Sequence, residues 1–263
     1  MRGSSAIILL ALLMAACTQN EGKFHGNTAD SVGTAGVDTV GNDTLRLQQI
    51  EQLVQKGAPQ QALPQIEQLL QKDSTNPGLL YIKADALEKS GDTAAAILHY
   101  QKAIQQAGVF DEAAVRLANL YAETGNKAAL QLCDQLLQQA TAVRLRSEIL
   151  HIKGIYYSKV RLLSQAMAVY DQIIREDYSY LDAYIEKGLL YFDQADYEKA
   201  LAAFRTSTTV KNSFADGYYW MARTEEKLGR TEEAIANYKR CLALDQSFTE
   251  ARDALRRLGV IRS

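Results

Sequence analysis

The sequence predicts an all-α protein built as a solenoid of stacked helix-turn-helix hairpins. Three observations carry this: a composition that excludes most alternatives, a recurring period of 34 residues, and columns of small and aromatic residues that keep their place within it. The 263 residues are 47% apolar with 16 Gly and 3 Pro, too apolar for disorder and too poor in turn formers for a loop-rich β protein. Lys and Arg (29) nearly balance Asp and Glu (31), and the formal net charge of −2 leaves no basic footprint for nucleic acid. Three Cys make no disulfide framework, and the scattered His25, His99 and His151 have no Cys or His at metal-ligand spacing.

The first element, residues 1–16, reads as an address. Arg2 precedes an unbroken apolar run from Ala6 to Ala16. Eleven residues fall short of the ~20 needed to span a bilayer but suit the apolar core of a secretory signal. Ala15 and Ala16 then sit directly before Cys17, with Met14 where a Leu is preferred. This arrangement resembles the lipobox of bacterial lipoproteins. The resemblance implies cleavage before Cys17 and acylation there, making it the lipid attachment residue. Two or more chains, at about 0.8 kcal/mol per buried CH2, anchor stably where one does not. Thr18, in place of the Asp that retains such proteins at the inner membrane, favours the outer membrane of the bacterial envelope. Residues 17–42 hold five Gly and almost no large apolar side chains, so a flexible tether is expected.

The body follows as six units, 43–76, 77–110, 111–146, 147–180, 181–214 and 215–248. Only the junction from Thr141 to Arg146 carries two extra residues. Position 20 of the unit holds Ala62, Ala96, Leu130, Ala166, Ala200 and Ala234; position 8 holds Ile50, Ala84, Ala118, Gly154, Gly188 and Ala222. Small residues at these two places let the two helices of a hairpin approach to the close end of the usual ~8–10 Å separation. Aromatics at position 24 (Tyr100, Tyr170, Phe204, Tyr238) and position 11 (Tyr121, Tyr157, Tyr191) fill the space beside that contact. Gly57, Gly91, Gly125 and Gly229 at position 15 suit the left-handed residue that ends the first helix, and Asp92, Asn126 and Thr231 offer capping or turn oxygens to the second. Pro64 removes one hydrogen bond from the second helix of unit one and should bend it. Residues 249–263 close the array. Apolar positions 251, 254, 255 and 258, backed by Arg252, Asp253, Arg256 and Arg257, predict a capping helix for the solenoid's open end.

These columns, densest in residues 181–248, resemble the tetratricopeptide repeat. The resemblance covers residues 43–248 and implies a right-handed α-solenoid that acts as a scaffold for protein or peptide ligands. The sequence departs from the family in lacking Pro at position 32 and in carrying Leu130 and Asp134 in unit three. In this family the concave wall is built by first-helix positions 5, 9 and 12. Carried onto this chain, the candidate groove residues are Tyr81, Asp85, Val115, Asn119, His151, Ile155, Ile185, Leu189, Phe192, Tyr219 and Arg223. Such a seam of apolar and aromatic anchors with polar ends is typical of protein-binding patches. Position 5 fits packing against the next helix equally well. The Lys that some family members place at position 5 to clamp a terminal carboxylate is absent here.

No phosphate loop, nucleophile with a neighbouring base, or cofactor motif occurs, so the expectation is a non-catalytic protein without cofactor. Cys133 and Cys241 lie three units apart, beyond the ~7 Å reach of a disulfide. Two readings stay open. One is a membrane-anchored adaptor that holds a protein partner within an outer-membrane or periplasmic assembly. The other is an accessory lipoprotein that recruits or regulates a cell-wall enzyme.

Overall fold

The structure is a computed structural model that describes residues 37–261 apart from residue 110, with side chains from residue 45 onward. The signal segment, Cys17 and residues 17–36 of the expected tether lie outside the described residues. The chain divides into two units, Met1–Leu47 and Gln48–Ser263; of the first only the opening of α1 is described, and the repeats lie in the second.

The described residues form helices and no strands. Six hairpins succeed one another: α1 (Val37–Gln55) with α2 (Pro59–Lys72), α3 (Pro77–Lys89) with α4 (Thr93–Ala107), and α5 (Asp111–Glu123) with α6 (Ala128–Gln139). They continue as α7 (Val143–Lys159) with α8 (Leu163–Glu176), α9 (Leu181–Asp193) with α10 (Tyr197–Val210), and α11 (Ala215–Lys227) with α12 (Thr231–Leu244). From α2 onward, each second helix also packs on the first helix of the next hairpin, and α12 packs on the terminal α13 (Thr249–Arg257). Helix α13 buries Ala251, Ala254 and Leu255 and turns Arg256 and Arg257 outward, as the capping pattern requires.

One turn closes every hairpin. The residue at position 16 donates its N–H to the carbonyl at position 11, from Ala58 to Leu53 (2.9 Å) through to Arg230 to Glu225 (2.8 Å). This 6→1 bond is the mark of a Schellman ending and needs a left-handed residue at position 15. Gly57, Gly91, Gly125 and Gly229 supply it, but Arg161 (φ 63°) and Ala195 (φ 59°) adopt the same conformation without being glycine. An L-residue there costs roughly 1–2 kcal/mol, partly offset by the greater unfolded freedom of Gly. Ala195→Gly and Arg161→Gly should therefore each stabilise the fold by about 0.5 kcal/mol and raise Tm by ~1–2 °C. Calorimetry showing no gain for either would contradict the assignment of strain.

The hairpin interiors follow the columns. Ala62, Ala96, Ala166, Ala200 and Ala234 are fully buried, as are Ile66, Tyr100, Tyr170, Phe204 and Tyr238 at position 24. Unit three departs in an informative way. Its buried residues on α6 are Ala129, Cys133 and Leu136, each one place ahead of the expected column. The register slips by one residue between the turn and the buried face of α6, so Leu130 and Asp134 fall outside those columns. Three residues are then regained, and Val143–Arg146 adds an extra turn to the front of α7.

Two further differences have local causes. Helix α1 begins at Val37, inside the stretch expected to be a tether; once a helix is nucleated, adding residues at its end is inexpensive. Helix α2 runs unbroken through Pro64, which is exposed, so water can reach the carbonyl that proline leaves free. The missing Pro at position 32 is replaced by Asx turns. Asp73, Asp177 and Asp245 accept the backbone N–H two residues on (Thr75, Ser179 and Ser247) at 3.3, 3.1 and 2.8 Å. Asp92 caps α4 through Ala95 N–H (3.1 Å) and Asn126 accepts from Ala128 N–H (3.0 Å). Thr231 is already the first residue of α12, after Arg230, and makes no cap.

Candidate functional site

Position 5, for which groove and packing were both open, leans into the hairpins. Ile185 and Tyr219 are buried. Tyr81 stacks near Tyr100 (5.7 Å), His151 lies between Tyr170 (6.1 Å) and Tyr180 (5.6 Å), and Tyr219 meets Tyr238 (6.0 Å) and Phe248 (4.9 Å). Val115 is half-buried against the interior of unit three. These side chains fix the hairpins rather than face a ligand.

Outside unit three, position 12 answers position 24, twelve residues away. Tyr100 donates its hydroxyl to Glu88 (2.8 Å), Tyr238 donates to Glu226 (2.5 Å), and the Tyr170 hydroxyl lies 3.4 Å from Ser158 Oγ. Where position 24 is Phe204, position 12 is Phe192; where it is Ile66, position 12 is the buried Val54. A buried Tyr hydroxyl needs a partner and a buried Phe edge does not. The match between these two columns is thus a packing rule within each hairpin. Phe192 remains half-exposed, with its ring against Tyr197 (5.3 Å) and Trp220 (6.2 Å).

Position 9 supplies the side chains that stay on the wall. Asp85, Asn119, Ile155, Leu189 and Arg223 are all half-exposed. Asn119 donates to Glu123 (2.9 Å), while Ile155 on α7 and Leu189 on α9 are the apolar members of the column, each at the edge of a different core cluster. Arg223 bonds the Tyr219 hydroxyl (3.3 Å) and rests on the rings of Trp220 (5.3 Å), Tyr219 (5.9 Å) and Phe192 (6.0 Å). Beside it opens a cleft of about 310 Å³ lined by Tyr219, Arg223, Tyr238, Glu250, Asp253, Ala254 and Arg257, where Arg257 pairs with Glu226 (2.8 Å).

Position 6 escaped the sequence reading and ties each unit to the one before. Arg116 reaches back to Asp85 (3.1 Å) and Glu88 (3.1 Å). Burial weakens its charge, but Glu88, Tyr100 and Asp85 outweigh that and hold the guanidinium firmly protonated. Trp220 stacks on Phe204 (5.9 Å) and meets Phe192. Glu186 occupies the same position between units four and five. Its carboxyl is pushed up to about 7, first by burial and then by the like charge of Asp182. Reading column 6 beside columns 9, 12 and 24 is the signal that would have revealed this set. Position 7 adds ion pairs between units, Lys83–Glu67, Lys153–Asp134 (2.8 Å) and Lys187–Asp171 (2.5 Å), each partly exposed and of small energetic weight.

The other chemistry-bearing residues are interior. The buried Cys133 and Cys241 are free thiols, each pushed up to about 12 mainly by burial, which keeps them unreactive at neutral pH. Burial holds His151 down at about 4, so it is neutral. Glu225, which breaks the Tyr column at position 11, is buried and accepts from Asn237 (2.8 Å). Among the described residues no cluster of His, Cys, Asp or Glu is placed to hold a metal, and no helix is long and apolar enough to cross a membrane.

Stacked hairpins whose first helices carry a half-exposed column of side chains define a helical-repeat scaffold suited to protein–protein contact. Sequence profiles described as tetratricopeptide repeat match residues 47–109, 153–212 and 215–248, and the chain belongs to that family. Mouse tetratricopeptide repeat protein 14 is 29% identical over 112 residues, a match that covers 40% of this chain and only 15% of that protein. A tetratricopeptide repeat protein from Parabacteroides merdae has a similar structure, with TM-score 0.64 and 18% identity over 79% of this chain and 82% of that one. So do PilW, a type IV pilus biogenesis factor (TM-score 0.62, 16% identity, 81% and 97% covered), and PilF of Pseudomonas aeruginosa (0.56, 16%, 82% and 99%). At these identities the likeness shows the fold.

Proposed function

We propose that the chain is a membrane-anchored, non-catalytic adaptor that holds a segment of a partner protein along the first-helix wall, within an outer-membrane or periplasmic assembly. The observation that carries this reading is the position 9 column. Along the units this column runs Asn119, Ile155, Leu189, Arg223, two apolar residues between two polar ones, and all four keep exposed surface. An apolar centre with a polar rim is the composition that partner-binding surfaces select. Cys17, in its lipobox-like setting, supplies the mooring. PilW is a pilus biogenesis factor of like fold, so an envelope assembly is a setting such a fold already serves.

The test is affinity capture from envelope extracts with wild type and the double variant Ile155→Arg, Leu189→Arg, alongside membrane fractionation of wild type and Cys17→Ala. The double variant should lose partners that the wild type retains while keeping its helicity and Tm within a few degrees, and Cys17→Ala should move to the soluble fraction. Equal capture by both proteins would remove the wall from the mechanism, and continued sedimentation of Cys17→Ala would remove the anchor.

A further inference from the structure

The three polar or aromatic junctions at position 6 differ in one respect. Arg116 arrives at a preceding unit that offers two carboxylates, Asp85 and Glu88, and the Tyr100 hydroxyl. Trp220 arrives at a preceding unit that offers Phe192 and Phe204. Each meets its chemical complement. By register Glu186 faces positions 24 and 12 of the preceding unit, Tyr170 and Ser158, whose hydroxyl oxygens lie 3.4 Å apart, and its charge acts on Tyr170. Its neighbour in sequence, Lys187, is engaged with Asp171 at 2.5 Å, and Arg144 is taken up by Glu148 (3.4 Å) and the face of Tyr180 (4.6 Å). Among the described residues Glu186 makes no ion pair, and the like-signed charge of Asp182 acts on it.

A second polar group at the same junction is also left open. His151 Nδ1 lies 3.3 Å from the Tyr180 hydroxyl, but its Nε2 is buried with no hydrogen-bond partner, and its ring borders the same Tyr170 that Glu186 acts upon. A partly buried carboxylate without a counter-charge is costly, and such groups concentrate at functional sites. Glu186 retains some exposed surface, so a ligand can reach it. Ile155, at position 9 of the preceding unit, and Leu189, three residues along α9 from Glu186, both keep exposed surface.

We propose that Glu186 receives a basic side chain, Lys or Arg, of the partner segment, so that the partner supplies at this junction the cation that Arg116 supplies internally two units earlier. The inference rests on the wall reading above. Recognition is then directional: an apolar residue on Ile155 and Leu189, with a basic residue beside it reaching Glu186. A charge-assisted hydrogen bond in a partly desolvated site contributes enough to change affinity about tenfold or more.

The experiment uses the full chain and a displayed library of random linear peptides, panned at pH 8 on wild type and on Glu186→Gln. Removing a buried charge leaves the variant folded, which thermal denaturation checks. Wild type should enrich peptides with Lys or Arg at one fixed place relative to an apolar residue, and Glu186→Gln should not. A peptide so selected should bind the variant at least about tenfold more weakly. Exchanging its basic residue for Gln should cost wild type the same factor and the variant nothing further. Binders without a basic preference, or equal affinity for both proteins, would overturn the role of Glu186 and leave the wall reading intact. No binder to either protein would overturn both.

Discussion

Gly188→Ala should destabilise the protein by about 2–3 kcal/mol, read as a Tm roughly 5–10 °C lower. A Cβ at Gly188 would collide with the edge of the Phe204 ring, 2.7 Å from both Cδ1 and Cζ and nearer still to Cε1. The ring cannot withdraw, because Phe204 is fully buried and Trp220 of the next hairpin is stacked on it. Ala84 and Ala222 hold the same column beside Tyr100 and Tyr238, so the fold as such tolerates alanine there. Hairpin α9–α10 has closed up around the missing methyl, and reopening it would pull Phe204 from its stack. Gly154→Ala meets Tyr170 in the same way, with Cε1 at 2.5 Å, and should follow suit. Trimming the ring with Phe204→Leu should recover part of the loss in the Gly188→Ala background but cost stability alone. Urea unfolding of the four proteins measures the coupling, and a single-variant loss under 0.5 kcal/mol would show that the hairpin opens freely.

The architecture was readable because it is written six times. Ala at 20, a small residue at 8 and an aromatic at 24 each answer to the same hairpin contact, so errors in one unit are outvoted by the others. What could not be read came from two sources. An indel inside a unit hides in the turn: Asp134 looked like a broken column, yet Cys133 fills that slot and Asp134 holds the place of Glu67 and Asp171, pairing with Lys153 as they pair with Lys83 and Lys187. Conformation without its usual residue is also invisible, since nothing in the letters Arg161 and Ala195 announces a positive φ. The wall was harder. A helix has no face label, and Tyr219 at position 5 looks as fit for a groove as Leu189 at position 9. Only the ring contacts with Tyr238 and Phe248 commit Tyr219 to packing.

Arg116→Ala should cost about 2–3 kcal/mol at pH 8, because it strips the counter-charge from two partly buried carboxylates at once. Asp85 keeps Lys89 at 2.7 Å; among the described residues Glu88 keeps only the Tyr100 hydroxyl. Burial already raises the Glu88 carboxyl above its ordinary value with Arg116 in place, and losing the guanidinium raises it further. A carboxyl whose folded pKa lies above its unfolded one binds protons more readily in the native state, so stability falls as pH rises through that interval. The deficit of the variant should therefore be largest at pH 8 and shrink toward pH 5, where Glu88 takes up its proton. Glu88→Gln removes the titrating group, so Arg116→Ala in that background should cost less and lose most of its pH dependence. Paired urea titrations at pH 5 and 8 decide this, and a deficit independent of pH would mean that Arg116 contributes packing rather than charge. The comparison also bears on recognition. At the α3–α5 junction the ion pairs close on themselves, whereas Glu186 between α7 and α9 has the same need and no internal answer. Adding Arg to the vacant side of that junction, as Ser158→Arg, should raise stability at pH 8 if a cation is what the place lacks, and leave it unchanged or lower if the carboxyl there stays protonated.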